Sequence, residues 1–376
     1  MKKINTKLHK LRRVLFLILA LFFITGCTSH TQNLKPITGE ADCSRLPSEI
    51  VPSFPSSSSQ AITSSQKAEP SPEKSAIASE ISSYSSEKSS ITAISDNGGI
   101  DTVQYGILYD IARGEVLWAK NADSKVYPAS LTKLLTAYTA LQYVPKTTIF
   151  TVGSEQKFKF TESKYNKVTK EVEKFLNPQS SLCLIQEGHR LTLYDLICGM
   201  LMASGNDAAY TIAVNTAKYV YGKTITDTKA VKLFCGLMNQ TAEKIGMRYS
   251  NFCNPDGWDN ANHYTTVNDL LQLSLCAYKN NDIRTIAGQA EKYVVFSSGQ
   301  NVTWENTNLL LHSSSKYYFP YATGLKTGTT DNAGNCLIAT AKKNGKEFIV
   351  IGMDCDTDAQ RYDFAIHMLN KAFIQK

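Results

Sequence analysis

The spacing of apolar residues predicts a helix that begins near Ser130. After that serine, apolar positions recur with helical period at Leu131, Leu134, Leu135, Tyr138 and Leu141. Pro128 stands just ahead of this run, where a proline favours a helix start. Ser130 and Lys133 are neighbours on one face of the helix, because residues three positions apart lie side by side. Their hydroxyl and amine can therefore meet in a partly buried place.

Capping signals predict further helices. Thr192 and Thr266 are each followed three positions later by an aspartate, as in a capping box, and then by apolar residues of helical period. The helix after Thr192 ends in Ser204-Gly205-Asn206, and Asp207 begins another. An amphipathic helix closes the region, with apolar residues at Phe364, Ala365, Met368, Leu369 and Ala372.

Segments of alternating apolar residues predict a hairpin at each end of this region. Residues 103–109 and 115–119 flank a turn that holds Gly114. Residues 336–341 and 347–353 flank an Asn-Gly pair, which is a strong hairpin signal. Strands at both ends with helices between them favour an α/β (α+β) fold, in which one antiparallel sheet joins a helical lobe and a site lies in the cleft.

Composition limits the folded domain to residues 99–376. Within it, residues 154–182 are rich in Lys and Glu, which predicts a solvated insertion. Between residues 51 and 90, sixteen of forty positions are Ser and four are Pro. Such a segment buries too little apolar surface to offset its ordering entropy, so residues 27–98 are predicted to form a disordered linker.

The start of the chain has the pattern of an export signal. Residues 1–26 carry six basic side chains ahead of an apolar run that is too short to favour a spanning helix. The following Ile-Thr-Gly-Cys string resembles the bacterial lipoprotein signal. By that resemblance, Cys27 is lipidated, becomes the new N-terminus and anchors the chain to the outer face of the cytoplasmic membrane. An uncleaved anchor in which Cys27 is incidental stays open, and either reading exports the rest of the chain.

Charge and metal-ligand spacing exclude two classes of function. Removing residues 1–26 takes away six basic and no acidic residues, which lowers the net charge from +7 to +1. The basic balance therefore gives no argument for a nucleic-acid partner. The six histidines do not pair with Glu or Cys at ligand spacing, so we expect no metal site and no cofactor.

The cysteines of the folded domain are an odd set of seven without CxxC spacing, at Cys183, Cys198, Cys235, Cys253, Cys276, Cys336 and Cys355. Several of them stand in apolar helical or strand patterns, which favours buried free thiols. A bridge between Cys336 and Cys355 stays open.

Three short strings occur in order: SLTK at residues 130–133, SGN at 204–206 and KTGT at 326–329. Ser-x-x-Lys occurs six times in the chain, but only after Ser130 does a helical apolar pattern follow. With the phrases GEVLWAKNADSKVYPASLTKLLTAY, LICGMLMASGNDAA, NFCNPDGWDNANHYTT and GLKTGTTDNAG, the set resembles the serine D-alanyl-D-alanine carboxypeptidases, the low-molecular-mass penicillin-binding proteins. The resemblance covers residues 99–376 and implies the β-lactamase/transpeptidase-like fold.

The resemblance implies three catalytic residues. Ser130 is the nucleophile that forms an acyl-enzyme, Lys133 takes its proton, and Ser204 relays a proton to the leaving D-alanine amine. The backbone N–H groups of Ser130 and Thr329 stabilise the oxyanion. A lysine can act as a base only when its amine is neutral, and burial or a nearby cation such as Lys326 lowers its pKa.

The resemblance also implies the substrate-binding residues. Asn206 holds the peptide of the substrate, and Lys326, Thr327 and Thr329 receive the terminal carboxylate. Gly328 lets its strand approach the substrate closely. The expected partners are peptidoglycan stem peptides ending in D-Ala-D-Ala, with β-lactams as inhibitors.

Three alternatives use the same fold. A D,D-endopeptidase acting on cross-links would need the same residues. A β-lactamase is disfavoured, because Ser95-Asp96-Asn97 and the Glu173 to Asn177 string are out of order for that class and leave no placed glutamate to activate water. A non-catalytic wall-binding lipoprotein would keep the fold but would not need all four of Ser130, Lys133, Ser204 and Lys326.

Overall fold

The two predicted hairpins lie in one five-stranded antiparallel sheet. The computed structural model of the chain describes residues 102–156, 175–177 and 179–374. The strands lie in the order β2-β1-β9-β8-β7, with β1 at Tyr105–Asp110, β2 at Glu115–Lys120, β7 at Ala322–Thr330, β8 at Gly334–Lys343 and β9 at Lys346–Cys355. At the β8–β9 turn, Asn344 and Gly345 have φ angles of 51° and 80°, as an Asn-Gly hairpin turn requires.

Helices follow the sheet's first hairpin and precede its last strands, and one more closes the domain. In the described residues they are α1 (Thr132–Tyr143), α2 (Leu193–Leu201), α3 (Asn206–Tyr221), α4 (Asp227–Lys244), α5 (Val267–Lys279), α6 (Asn281–Ala287) and α7 (Asp358–Ile374). The predicted caps are confirmed, because the hydroxyls of Thr192 and Thr266 each accept a hydrogen bond of 3.1 Å from the N–H of the aspartate three positions on. Helices α4 and α6 were not predicted.

Two small antiparallel pairs complete the described strands. Strand β3 (Ile149–Thr151) pairs with β4 (Arg190–Thr192), and β5 (Glu291–Val295) pairs with β6 (Asn301–Glu305). The β5–β6 hairpin was also not predicted. Apart from the buried Trp304, its positions alternate between exposed and half-buried, so it carries only a weak apolar signal.

The large sheet separates two hydrophobic cores. Along β9, Ile349, Ile351 and Met353 belong to the core shared with the helical lobe, whereas Phe348 and Val350 belong to the core under α7. Successive side chains of a strand point to opposite faces, so one strand can serve both cores. This arrangement confirms the predicted α+β architecture.

The two cores also bear on the bridge that the sequence left open. Cys336 belongs to the core on the helical-lobe side, and Cys355 belongs to the core under α7. The two thiols therefore pack in different cores, and both are free, so no disulfide joins them. The cysteines of the described residues are all free, and Cys253 alone among these is exposed.

Two expectations need correction. Helix α1 begins at Thr132, because residues Ala129–Leu131 form a 3₁₀ turn that contains Ser130. The segment 154–182 is not solvated throughout: Glu155 and Leu176 are buried, and the Glu155 carboxylate accepts a hydrogen bond from the Gly153 N–H. Most of that segment lies outside the described residues.

The predicted signal peptide, the lipidated Cys27 and the linker 27–98 also lie outside the described residues and stay predictions. Among the helices that the structure describes, none combines the length and apolar character needed to cross a membrane.

Candidate active site

Ser130 lies in a tight turn that enters α1. The preceding residue, Ala129, has a φ angle of 47°, in the left-handed region. Lys133 lies one turn further along, and its Nζ donates a hydrogen bond of 2.7 Å to the Ser130 Oγ. The predicted meeting of hydroxyl and amine is therefore present.

Two glycines hold this turn between them. A Cβ added at Gly257, where φ is 89°, would lie 1.7 Å from the Ala129 carbonyl oxygen. A Cβ added at Gly328 would lie 3.1 Å from both the backbone nitrogen of Ser130 and the Cβ of Ala129. The backbone of β7 therefore passes close to the backbone of Ala129 and Ser130, where only glycine leaves room. The expected approach of this strand to a substrate stays a prediction.

Lys133 is completely buried. Besides Ser130, its Nζ donates a hydrogen bond of 2.8 Å to the main-chain carbonyl of Asp256. Burial lowers the pKa of Lys133 to about 8, although the negative charges of Asp256 and Asp207 act in the opposite direction. In a fraction of the molecules, the Lys133 amine is therefore neutral near pH 7. Only the neutral amine can accept the proton of Ser130.

Lys326 is also completely buried, and its Nζ donates a hydrogen bond of 3.1 Å to the Thr327 carbonyl. Its pKa lies well below the usual value because of burial first, and then because of the cations Lys133 and Arg361. Of the two causes expected to lower the pKa of Lys133, burial is confirmed as the first, and Lys326 is not among the groups that act on it. No carboxylate of the described residues lies within ion-pair distance of Lys326.

The SGN string joins α2 to α3. Ser204 is buried and has a φ angle of 58°, and Asn206 is the first residue of α3. The Asn206 side-chain nitrogen donates to the Asp256 carboxylate at 2.8 Å and to the Ser180 hydroxyl at 3.1 Å. Asn206 and Lys133 therefore share Asp256 as a partner. Of the hydrogen bonds between described residues, none involves the Ser204 hydroxyl.

The remaining predicted residues follow Lys326 along β7, the edge strand of the sheet. The Thr327 hydroxyl lies 2.6 Å from the Thr307 hydroxyl. Behind the strand, the Arg361 guanidinium donates to the Gly328 carbonyl at 3.1 Å and to the Thr329 hydroxyl at 3.0 Å. Among the described strands, β7 pairs with β8 alone, so its other edge has no strand partner there.

Sequence reasoning missed Asp256 and Arg361. Asp256 stands in an Asn-Pro-Asp-Gly turn, whose composition gave only a local turn signal. Arg361 stands three positions before Phe364 on the apolar face of α7. A charged residue at such a position is seldom buried without a partner, and this was the available signal.

The turn around Asp256 is fixed at several points. Asn254 accepts a hydrogen bond from the Gly257 N–H at 2.7 Å and donates to the Trp258 carbonyl at 2.8 Å. The Thr136 hydroxyl of α1 donates to the Pro255 carbonyl at 2.7 Å. Lys133 and Thr136, three positions apart on α1, thus hold two successive carbonyls of this turn.

His263 anchors the same segment without taking part in charge chemistry. Its Nδ1 accepts a hydrogen bond from the Cys253 N–H at 3.0 Å, so the proton of the neutral ring is on Nε2, which lies 2.9 Å from the Thr132 hydroxyl. Burial lowers its pKa to about 3, and the ring therefore stays neutral. A packing role is sufficient for this residue.

The assembled groups suit acyl transfer. A serine hydroxyl contacts a partly neutral amine, and the serine's amide faces a strand edge. A second buried lysine stands close enough to feel the charge of the first.

Comparisons with known proteins agree with this geometry. A sequence model of the family described as D-alanyl-D-alanine carboxypeptidase matches residues 95–357. The chain is 31% identical over 270 residues to the D-alanyl-D-alanine carboxypeptidase DacC of Escherichia coli, which covers 71% of this chain and 60% of the relative. The match with the D-alanyl-D-alanine carboxypeptidase DacF of Bacillus subtilis covers 72% of this chain and 61% of that relative. The chain therefore spans about three fifths of the length of these curated relatives.

A solved structure shares the fold. The crystal structure of the Streptomyces K15 DD-transpeptidase superposes with a TM-score of 0.61 at 27% identity, covering 73% of this chain and 98% of that chain. This similarity confirms the penicillin-binding-protein fold that the motifs predicted.

Proposed function

The chain belongs to the D-alanyl-D-alanine carboxypeptidase family, and we propose that it is a serine peptidase that removes the C-terminal D-alanine from peptidoglycan stem peptides. The observation that carries the proposal is the 2.7 Å hydrogen bond between the Lys133 amine and the Ser130 hydroxyl, with the lysine's pKa lowered to about 8. A serine alcohol becomes a useful nucleophile when a base of this kind accepts its proton.

In the proposed reaction, neutral Lys133 takes the Ser130 proton while Oγ attacks the carbonyl carbon of the scissile peptide. The N–H groups of Ser130 and Thr329 stabilise the oxyanion. The protonated Lys133 then returns its proton through the Ser204 hydroxyl to the leaving amine, the C–N bond breaks, and D-alanine departs. Water hydrolyses the ester on Ser130 and releases the shortened peptide.

The substrate is proposed to lie along the open edge of β7. Its peptide group binds Asn206, and its terminal carboxylate binds Lys326, Thr327 and Thr329. A buried lysine without a carboxylate among the described residues supports this assignment, because a bound anion would stabilise its charged form. Gly328 leaves room for the approach.

The place of action follows from the same proposal. Stem peptides lie outside the cytoplasmic membrane, and the pattern of residues 1–26 favours export. We assign residues 1–26 to a signal peptide, Cys27 to lipidation and residues 27–98 to a linker between the membrane and the catalytic domain of residues 99–376. Such a lipoprotein would reach the wall while anchored, since lipoprotein lipidation supplies more than one acyl chain.

The test is intact-mass spectrometry of the protein mixed with benzylpenicillin and followed over time, beside Ser130→Ala. We expect a long-lived adduct in the wild type and none in the variant, followed by D-alanine release from a stem pentapeptide. Rapid drug hydrolysis without an adduct would indicate a β-lactamase. Neither adduct nor hydrolysis would indicate a non-catalytic wall-binding lipoprotein.

A second assay separates the endopeptidase alternative. Cross-linked peptide dimers and pentapeptides are supplied at equal concentration, and the products are separated by mass. Release of free D-alanine from the pentapeptide supports the carboxypeptidase, whereas cleavage of the dimers alone would replace it with a D,D-endopeptidase.

A further inference from the structure

Asp256 connects the two functional groups on the helical side of the cleft. Its main-chain carbonyl accepts the hydrogen bond from Lys133 at 2.8 Å, and its Oδ2 accepts the one from the Asn206 side chain at 2.8 Å. The residue is 2% exposed. One buried residue thus contacts both the amine that would serve as the base and the amide that would bind substrate.

The carboxylate of Asp256 has little freedom to move. Its Oδ1 accepts a hydrogen bond of 3.3 Å from the Trp258 N–H, and the Tyr210 hydroxyl of α3 also hydrogen-bonds this carboxylate. The Asn254 and Thr136 contacts described above fix the backbone on either side. A side chain held this way keeps its charge at a constant position relative to Lys133.

We propose that Asp256 is a positioning residue for acylation, whose carboxylate orients the Asn206 side chain and places a negative charge beside Lys133. The inference rests on the proposed function, because it concerns the acylation of Ser130. It assigns a role to the side chain of Asp256 separate from that of its carbonyl, since the carbonyl would contact Lys133 with any residue at this position.

The other ionisable groups around Lys133 are placed differently. Asp207 of α3 is the second acid that acts on Lys133, but its carboxylate accepts hydrogen bonds from the N–H groups of Cys183, Ile185 and Ala208. The Asp207 carboxylate therefore fixes the backbone at residues 183–185 and 208.

Two thiols and one cation complete the surroundings. Cys183 faces Lys133 and Cys235 faces the Asp256–Tyr210 pair, and burial raises the pKa of both thiols, which keeps them neutral. Lys326, on β7, repels the charge of Lys133. Asp256 thus contacts Lys133 through its main-chain carbonyl and holds the Asn206 side chain through its carboxylate.

The sign of the effect follows from charge. A negative group near Lys133 stabilises its ammonium form and raises its pKa, against the lowering by burial. Removing that charge makes the neutral amine more abundant at a given pH. Acylation should then begin at a lower pH, even though a residue of the site has been altered.

Three variants separate charge from geometry. Asp256→Asn removes the charge and keeps an oxygen that can accept from Asn206 after the amide rotates. Asp256→Glu keeps the charge and displaces that oxygen by one methylene. Asp269→Asn is the matched control, because Asp269 is a buried carboxylate bonded to Tyr249 and Ser250 and is not among the groups that act on Lys133.

The measurement is the rate constant for Ser130 acylation by benzylpenicillin between pH 5 and 10 in the full-length protein, with thermal unfolding as a check on folding. The acylation rate constant should rise with pH as Lys133 loses its proton. We expect the midpoint of this rise to lie about one pH unit lower in Asp256→Asn than in the wild type. In Asp256→Glu the midpoint should stay in place while the plateau rate falls about tenfold, since Asn206 loses its oriented acceptor. Asp269→Asn should leave the midpoint where it is in the wild type.

An unchanged midpoint in a folded Asp256→Asn variant would overturn the inference. If that variant does not fold, Asp256→Glu decides: a shifted midpoint or an undiminished rate would also overturn it. A wild-type protein that benzylpenicillin does not acylate at all would overturn the proposed function, and this inference with it.

Discussion

The two sides of the cleft differ in how their polar side chains are paired. On the helical side, formed by α1, the start of α3 and the turn at residues 254–258, polar groups bind one another: Lys133 donates to Ser130 and to Asp256, and Asn206 also donates to Asp256. On the strand side, β7 buries Lys326 against the Thr327 carbonyl, without a carboxylate from the described residues. The polar groups of the first side are paired with one another, whereas the second side buries a lysine without an acidic partner among those residues.

The difference shows how one residue type acquires two roles. Burial lowers the pKa of both lysines, but acids near Lys133 hold its pKa at about 8, whereas the cations near Lys326 lower its pKa further. Lys133 can therefore exchange a proton near neutral pH. A carboxylate beside Lys326 would favour its charged form, so the proposed function implies that substrate binding and protonation are coupled at this residue.

The largest effect is expected from Lys133→Met, which removes the amine and keeps most of the side-chain volume. Acylation of Ser130 by benzylpenicillin should slow by about 10²- to 10⁴-fold, the usual contribution of a general base. Intact-mass time courses at pH 7 measure it. The loss should be the same for benzylpenicillin and its methyl ester, because the helical side acts on the serine. A variant that reacts within tenfold of the wild type would show that another group takes the proton.

The matched variant on the strand side is Lys326→Met. It should slow acylation by benzylpenicillin about 10- to 100-fold, the worth of a charge-assisted hydrogen bond to a carboxylate. The methyl ester lacks that carboxylate, so the variant and the wild type should react with it at nearly equal rates. An equal loss with both compounds would mean that Lys326 acts on the serine, and the distinction between the two sides would fail.

Gly328→Ala tests how closely the two sides must approach. The added Cβ would lie 3.1 Å from the Ser130 nitrogen, so the strand must shift by a few tenths of an ångström. We expect a loss of stability of about 1 kcal/mol and acylation that is several-fold slower. Gly236→Ala is the control, because an added Cβ there meets no atom within 4 Å and alanine favours the helix α4. Unchanged acylation in Gly328→Ala would remove the requirement for close approach.

Local patterns predicted much of the fold and of the site. The hairpins, the caps at Thr192 and Thr266 and the pairing of Ser130 with Lys133 depend on residues only a few positions apart, and all are present. Local spacing determines such features, because helix and strand periods fix which side chains become neighbours.

Features that depend on distant residues were missed. Lys133 and Asp256 are 123 positions apart, and Arg361 and Gly328 are 33 positions apart, so no periodicity connects them. The faces of Cys336 and Cys355 depend on the register of two strands with an irregularity between Asn335 and Leu337. Tertiary packing decides these contacts, and a single sequence does not display it.

The smallest expected effect concerns the support of the helical side. Thr136→Val keeps the shape of the side chain and removes the hydroxyl that donates to the Pro255 carbonyl. A buried acceptor left without its partner costs about 1 kcal/mol, which lowers the melting temperature by about 2–4 °C in a domain of this size. Acylation should slow only a few-fold, because Asn254 and Lys133 still hold the turn.

Thr139→Val, one turn further along α1, is the control. Its buried hydroxyl has no hydrogen-bond partner among the described residues, so valine should be neutral or stabilising there. Equal melting temperatures for the two variants would show that the Thr136 contact does not stabilise the turn, and that the helical side depends on fewer hydrogen bonds than its geometry suggests.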